Sequence, residues 1–161
     1  MEQTLAAYEA TYGPEHPAVA TVRSSLGTVL HDHGDLLGAR AEMEQALHIY
    51  HRKIGPDHPE VAIARNKLGV LLRDLRDLDA ARVELEQALA IGEAAYGPDH
   101  LKVAKFSFDL GCVLELLGDL EGARAEHERA LAIYEATVEP THPGAVVIRA
   151  TLQRVLQKLT E

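Results

Sequence analysis

The chain has 161 residues, of which 47% are apolar and only 4% aromatic, and its 16 Lys and Arg against 25 Asp and Glu give a formal charge of −9. That length fits one domain, and the acidic balance argues against general binding to phosphate backbones, which needs clustered cations. A single cysteine, Cys112, excludes an internal disulfide; no apolar segment approaches membrane-spanning length; and the opening Met1-Glu2-Gln3-Thr4-Leu5 lacks a signal-peptide pattern, so a cytoplasmic location and no membrane partner are expected.

The first element, residues 1–13, reads as the latter part of a helix, because Glu2-Gln3-Thr4-Leu5 aligns with Glu44-Gln45-Ala46-Leu47 and Glu86-Gln87-Ala88-Leu89. It ends at Gly13-Pro14-Glu15-His16-Pro17. That string recurs as Gly55-Pro56-Asp57-His58-Pro59, Gly97-Pro98-Asp99-His100-Leu101 and Glu139-Pro140-Thr141-His142-Pro143, each time 42 residues on. A constant period in this range marks a solenoid of stacked repeats.

The first full repeat, 17–54, contains two helical segments. Pro17 suits a first helical turn. Val19, Val22, Leu26, Val29 and Leu30 form the apolar stripe of the first segment. Gly34 ends it in a left-handed conformation and Asp35 caps the next helix. That second helix is expected to bury Leu36, Ala39, Met43, Ala46, Leu47 and Tyr50, and to close near Lys53. The second repeat, 59–96, follows with Val61, Ala64, Leu68, Leu71 and Leu72, then Ala81, Leu85, Ala88 and Leu89. The third, 101–138, has Val103, Phe106, Leu110, Val113 and Leu114, then Leu120, Ala123, Ala130 and Leu131. A final helix over 143–160 carries Ile148, Leu152, Val155, Leu156 and Leu159. With half-repeats at both ends and no evident polar caps, the array reads as part of a longer one, or as one whose ends stack on another copy.

Leu26-Gly27-x-x-Leu30, Leu68-Gly69-x-x-Leu72 and Leu110-Gly111-x-x-Leu114 resemble the Leu-Gly-x-x-Tyr core of tetratricopeptide repeats, and Ala39-x-x-x-Met43 and Ala81-x-x-x-Leu85 resemble that family's Ala-x-x-x-Phe element. The period of 42 with its Gly-Pro-Asp-His-Pro turn is similar to the longer repeats of kinesin light chains. It is equally similar to those of bacterial tetratricopeptide proteins, including regulatory proteins that carry a nucleotide-binding switch domain. The resemblance implies an all-α fold, a right-handed superhelical solenoid of antiparallel helix pairs forming a single domain over 1–161. Four positions depart from the pattern. Arg76 replaces the glycine of its column, Leu101 a proline, His127 the apolar Met43 and Leu85, and Gln153 interrupts the Leu-Gly pair.

The residues offer little chemistry. His16, His58, His100 and His142 recur one per repeat, too far apart to share a metal when helices pack at about 8–10 Å, and read as shaping the turn and the next helix start. His31, His33, His48 and His51 read as surface residues, and His127 as a substitute for an apolar residue. No phosphate loop, nucleophile elbow or zinc-protease motif occurs. The expectation is therefore no enzyme, no cofactor and no metal.

The resemblance implies that first helices line an inner, concave surface. Beside their core stripe lies a second one that changes from repeat to repeat: Thr21, Ser24, Ser25, Thr28 and His31; Ile63, Asn66, Lys67, Val70 and Arg73; Lys105, Phe108, Asp109, Cys112 and Glu115; then Val147, Thr151, Arg154 and Lys158. Its mixture of hydroxyls, an amide, cations and an aromatic suits a peptide. Asn66, Lys67 and Lys105 resemble part of the family's carboxylate clamp. Ser24, Ser25, Thr28, Asn66, Lys67, Val70, Arg73, Lys105, Phe108, Asp109, Cys112, Glu115 and Arg154 are the expected binding residues. The expected function is a scaffold holding a peptide or protein segment within a larger regulatory protein. The alternative is a structural module that self-associates through its ends as a homo-oligomer.

Overall fold

A computed structural model of the chain describes residues 2–139 and 141–161. Among these residues all regular structure is helical: α1 (Glu2–Tyr12), α2 (Pro17–Asp32), α3 (Leu36–Lys53), α4 (Pro59–Asp74), α5 (Leu78–Tyr96), α6 (Leu101–Leu117), α7 (Leu120–Thr137) and α8 (Pro143–Thr160). The two punctuation points per repeat are thus the two interhelical turns. The all-α repeat solenoid expected from the 42-residue period is the fold observed.

The turns show why the period is so regular. Gly34 and Gly118 adopt φ +84°, and Arg76, in the same column, adopts φ +65°. A left-handed arginine costs roughly 1 kcal/mol relative to glycine. It is held there because the turn backbone is the same in each repeat: Asp35, Asp77 and Asp119 donate their N–H to Leu30, Leu72 and Leu114 carbonyls, each at 2.9 Å. Asp35 and Asp119 then accept from the N–H of Gly38 and Gly122, capping α3 and α7 as expected.

The other turn carries the repeated histidines. His16, His58, His100 and His142 each cap the following helix, Nδ1 accepting from the backbone N–H two residues on at 3.0–3.1 Å. A ring nitrogen thereby satisfies one of the orphan donors of the first turn. Pro17, Pro59 and Pro143 follow immediately at the helix start, with no N–H to leave unpaired.

The described chain divides into two compact units, the first ending at Ile91 and the second beginning at Gly92, so the boundary falls inside α5. In the first unit α2 packs on α3, α3 on α4 and α1 on α2. Its core includes Val19, Ala20, Ala46, Ile49, Tyr50, Val61 and Ala64. In the second unit α6 packs on α7 and α7 on α8 around Phe106, Leu110, Val113, Ala130, Ile133 and Val155. The glycine of the Leu-Gly pair is what lets first and second helices close. A Cβ on Gly27 would stand 2.7 Å from Met43 Cγ, on Gly69 2.6 Å from Leu85 Cγ, and on Gly111 2.6 Å from the His127 ring.

Two stripe residues are exposed, while Val22, Leu30, Leu36, Leu47, Leu120, Leu131 and Leu159 are half-buried. Val29 is exposed although Leu71 and Val113, its equivalents in α4 and α6, are buried. Leu156 is exposed although Leu114, its equivalent in α6, is buried by α7. Ile49 and Ile133 are buried beyond the expected stripe.

A repeated ion pair also ties the helix pairs. Arg23 bonds Glu42 of α3 at 2.6 Å and also Glu9 of α1, and Arg65 bonds Glu84 of α5 at 2.6 Å. In the third repeat Ser107 takes the arginine's column opposite Glu126, while Arg129 pairs with Glu93. Neither Ser107 Oγ nor Glu126 Oε2 closes a hydrogen bond of normal geometry.

Candidate partner-binding face

The variable stripe falls in both units, and its residues divide by depth. In the first unit Ser24 and Asn66 are buried, whereas Ser25, Thr28, Lys67, Val70 and Arg73 are half-buried. Ser25 and Thr28 turn their hydroxyls back onto carbonyls one turn earlier, donating to Thr21 O at 2.9 Å and Ser24 O at 3.0 Å. Lys67 reaches from α4 to the Ser24 hydroxyl on α2 at 3.2 Å. Its partial burial pushes the ammonium pKa down, and Glu60 partly opposes that. An ammonium has three N–H donors, so Lys67 keeps donor capacity beyond the Ser24 bond.

At the far end of the same face Arg73 and His31 both engage Asp74, at 2.9 Å and 2.8 Å. His31 is thereby drawn away from His48 and His51. Those two instead line a cavity of about 390 Å³ with Leu47, Arg52, Leu68 and Glu84. Among the described residues no group of three or more potential ligands is placed to hold a metal ion. A wider cavity, about 450 Å³, lies against Glu15, Arg23, Glu44, Gln45 and His48, away from the variable stripe.

In the second unit Asp109 is buried and bonds the exposed Lys105 at 2.7 Å. Phe108 is half-buried, with one side on the His127 ring at a centroid distance of 5.3 Å. Its other surroundings form a cavity of about 350 Å³ with Tyr134, Pro143, Gly144, Val147 and Ile148, beside Lys105 and Asp109. Cys112 is half-buried. One turn further, Glu115 accepts both Nε and Nη2 of Arg154, at 3.0 and 2.8 Å, and Lys158 Nζ at 2.8 Å. The Arg154 bonds pull the Glu115 carboxyl down to about 2, with burial opposing and Lys158 adding to the pull. The same pairing raises the Arg154 guanidinium.

The expected residues divide by depth: Ser24, Asn66 and Asp109 are buried, while Ser25, Thr28, Lys67, Val70, Arg73, Lys105, Phe108, Cys112, Glu115 and Arg154 keep accessible surface. Sequence reasoning left Tyr134 outside the stripe because it belongs to a second-type helix. The signal was its column, shared with Tyr50, which is buried against the following first helix.

The arrangement has the makings of a recognition surface. The half-burial of Phe108, the exposed Val147 and the cations around Glu115 offer apolar contact beside charge. His127 is fully buried with both ring nitrogens lacking a hydrogen-bond partner.

Residues 34–91 and 61–136 match the tetratricopeptide repeat family model. Among solved structures the chain is similar to BtubC (BKLC) from P. vanneervenii, with a TM-score of 0.74 at 21% identity over 90% of this chain. The chain spans 66% of that protein's resolved length. It is also similar to the nearly identical TPR-like repeats assigned to a Podosopora anserina kinesin light chain, with a TM-score of 0.80 at 23% identity, covering 97% of this chain and 74% of that one. A third similar structure is the first repeat domain of Spaghetti (RPAP3) bound to the HSP90 peptide SRMEEVD, with a TM-score of 0.66 at 19% identity, covering 88% and 94%. No curated protein matches the chain.

Proposed function

Because the chain belongs to the tetratricopeptide repeat family, we propose that it is a protein-interaction module that holds a segment of another protein on its first-type helices. The observation that carries this reading is the variable stripe. Core columns repeat from unit to unit, yet Thr28, Val70 and Cys112 occupy one column and His31, Arg73 and Glu115 another. A face needing only solvation would carry the Glu, Lys and Arg that recur on α3, α5 and α7. The peptide held by Spaghetti, a neighbour of the same fold, supports the same use of such a scaffold. Its resemblance to regulatory proteins that carry such arrays supports reading the module as a share of a larger regulatory protein.

The test begins with peptides selected by display against the chain. Their affinities are then compared between wild type, an Arg73→Ala/Phe108→Ala variant, and an Arg82→Ala/Glu86→Ala control on the exposed side of α5. The reading expects the first variant to weaken binding about tenfold or more and the control to leave it unchanged. Equal binding by all three sinks the assigned face.

A second reading, self-association, has its own observation. Val146 and Leu156 on α8 and Tyr8 and Tyr12 on α1 are exposed apolar side chains. Sedimentation across a hundredfold concentration range decides it, and a monomer throughout rejects it.

A further inference from the structure

We propose that the outer face of α3, a second-type helix, is a further docking surface, separate from the first-type stripe, and that it takes an acidic protein segment through the carboxylates of Asp and Glu side chains. The columns of the repeat point to it. The last turns of α5 carry Ala90, Glu93, Ala94 and Ala95, those of α7 carry Ala132, Glu135, Ala136 and Thr137, and those of α1 carry Ala6, Glu9, Ala10 and Thr11. In α3 the same four columns are His48, His51, Arg52 and Lys53, all exposed. With imidazole counted as neutral, the other helices each carry one negative charge in these columns and α3 carries two positive ones, on a chain of net −9. The helix dipole does not account for the reversal. Cations complement a helix C-terminus, yet α5 and α7 end without any.

The reversed charge lies beside shape. Two cavities flank α3, and both are bordered by His48 and Glu44. One, of about 390 Å³, takes in Leu47, His51, Arg52, Leu68 and Glu84. The other, of about 450 Å³, takes in Glu15, Arg23, Gln45 and Ile49. Both volumes fall within the roughly 300–1,000 Å³ range of ligand pockets.

The carboxylates around these cavities are already engaged. Glu84 holds Arg65 at 2.6 Å, Glu44 holds Arg40 at 2.7 Å and Glu15 holds Arg52 at 3.0 Å. The histidines are not: among the described residues neither His48 nor His51 makes a hydrogen bond or an ion pair. Arg52 meets Glu15 through Nη1 alone, and a guanidinium has five N–H donors, so donors remain. A Glu or Asp side chain entering the smaller cavity meets apolar surface on Leu47 and Leu68 and cationic donors on His51 and Arg52. Glu44 and Glu84 border that same cavity, which sets a doubly charged phosphate at a disadvantage against a singly charged carboxylate.

The experiment uses the full chain and a displayed library of random twelve-residue peptides, depleted on a His48→Ala/His51→Glu/Arg52→Ala variant before selection on the wild type. That variant gives α3 the residues that α5 carries in those columns, so the fold should be kept, and thermal melting followed by circular dichroism checks it. If it melts lower, His51→Gln/Arg52→Gln takes its place. The selected sequences should be rich in Asp and Glu and should bind either variant about tenfold or more weakly than the wild type. Remaking their Asp and Glu as Asn and Gln should cost a similar factor. Arg73→Ala/Phe108→Ala should leave them unchanged, which separates this surface from the first-type face. A depleted library that yields no binder, selected sequences without acidic enrichment, or binding lost with Arg73 and Phe108 instead overturns the α3 surface. Peptides that still bind the triple variant continue to test the first-type face, so the two readings fail separately.

Discussion

His127 occupies a column that is Met43 and Leu85 in the earlier repeats, and it pays a price they do not. It is fully buried, both nitrogens lack hydrogen-bond partners, and burial lowers its pKa, opposed by Glu115 and reinforced by Arg154. A folded-state pKa below the unfolded value means stability that is complete above about 6.5 and declines as pH falls toward the depressed value. His127→Met should therefore raise stability by about 1–2 kcal/mol, the usual cost of an unmet buried polar group, and should flatten the loss below pH 6.5 seen in urea titrations. Glu126 shifts the other way. Burial raises its pKa, Ser107 and Arg129 opposing, so its contribution is present below the unfolded value and lost as pH rises through the folded one. Ser107→Arg restores the pairing of Arg23 with Glu42 and Arg65 with Glu84. Urea midpoints at pH 5 and pH 8 should show a gain that is larger at pH 8. An equal or absent gain would mean that Arg129 already serves Glu126.

Among the helices, the repeated histidines show how sequence and structure divided the work. Their recurrence at 42 residues announced a turn, and the turn is where they lie. Their capping bond was not legible, because side-chain caps are ordinarily Ser, Thr, Asp or Asn. It depends on the ring reaching forward over the first helical residue, Pro in three repeats and Leu101 in the other. His58→Ala should cost about 1 kcal/mol, as loss of a helix cap does, and His58→Asn should recover most of it. Thermal unfolding of the two variants measures this directly. The Gly34, Arg76 and Gly118 column was fully legible, since a glycine flanked by Asp-Leu marks a left-handed helix end. Depth on the binding stripe was not. Helical periodicity assigns Ser24 and Asn66 to a face but cannot tell that neighbouring first helices, α2 and α4, come close enough to cover them.

For the whole molecule, the fold was the most readable quantity, because one period organises every helix and each repeat buries its apolar face only on its neighbours. The division inside α5 left no trace in the sequence, which runs through Ile91-Gly92 without punctuation. The cavity beside Phe108 was not readable from the first helices alone, since it draws Tyr134 from a second-type helix. The central claim, that first-type helices hold the partner, is tested most directly by amide chemical-shift mapping of the labelled chain with a selected peptide. The account predicts shifts concentrated on the first-type helices, at Thr28, Lys67, Val70 and Arg73 in the first unit or at Phe108 and Arg154 in the second. Shifts concentrated instead on the exposed sides of α3, α5 and α7 would contradict it.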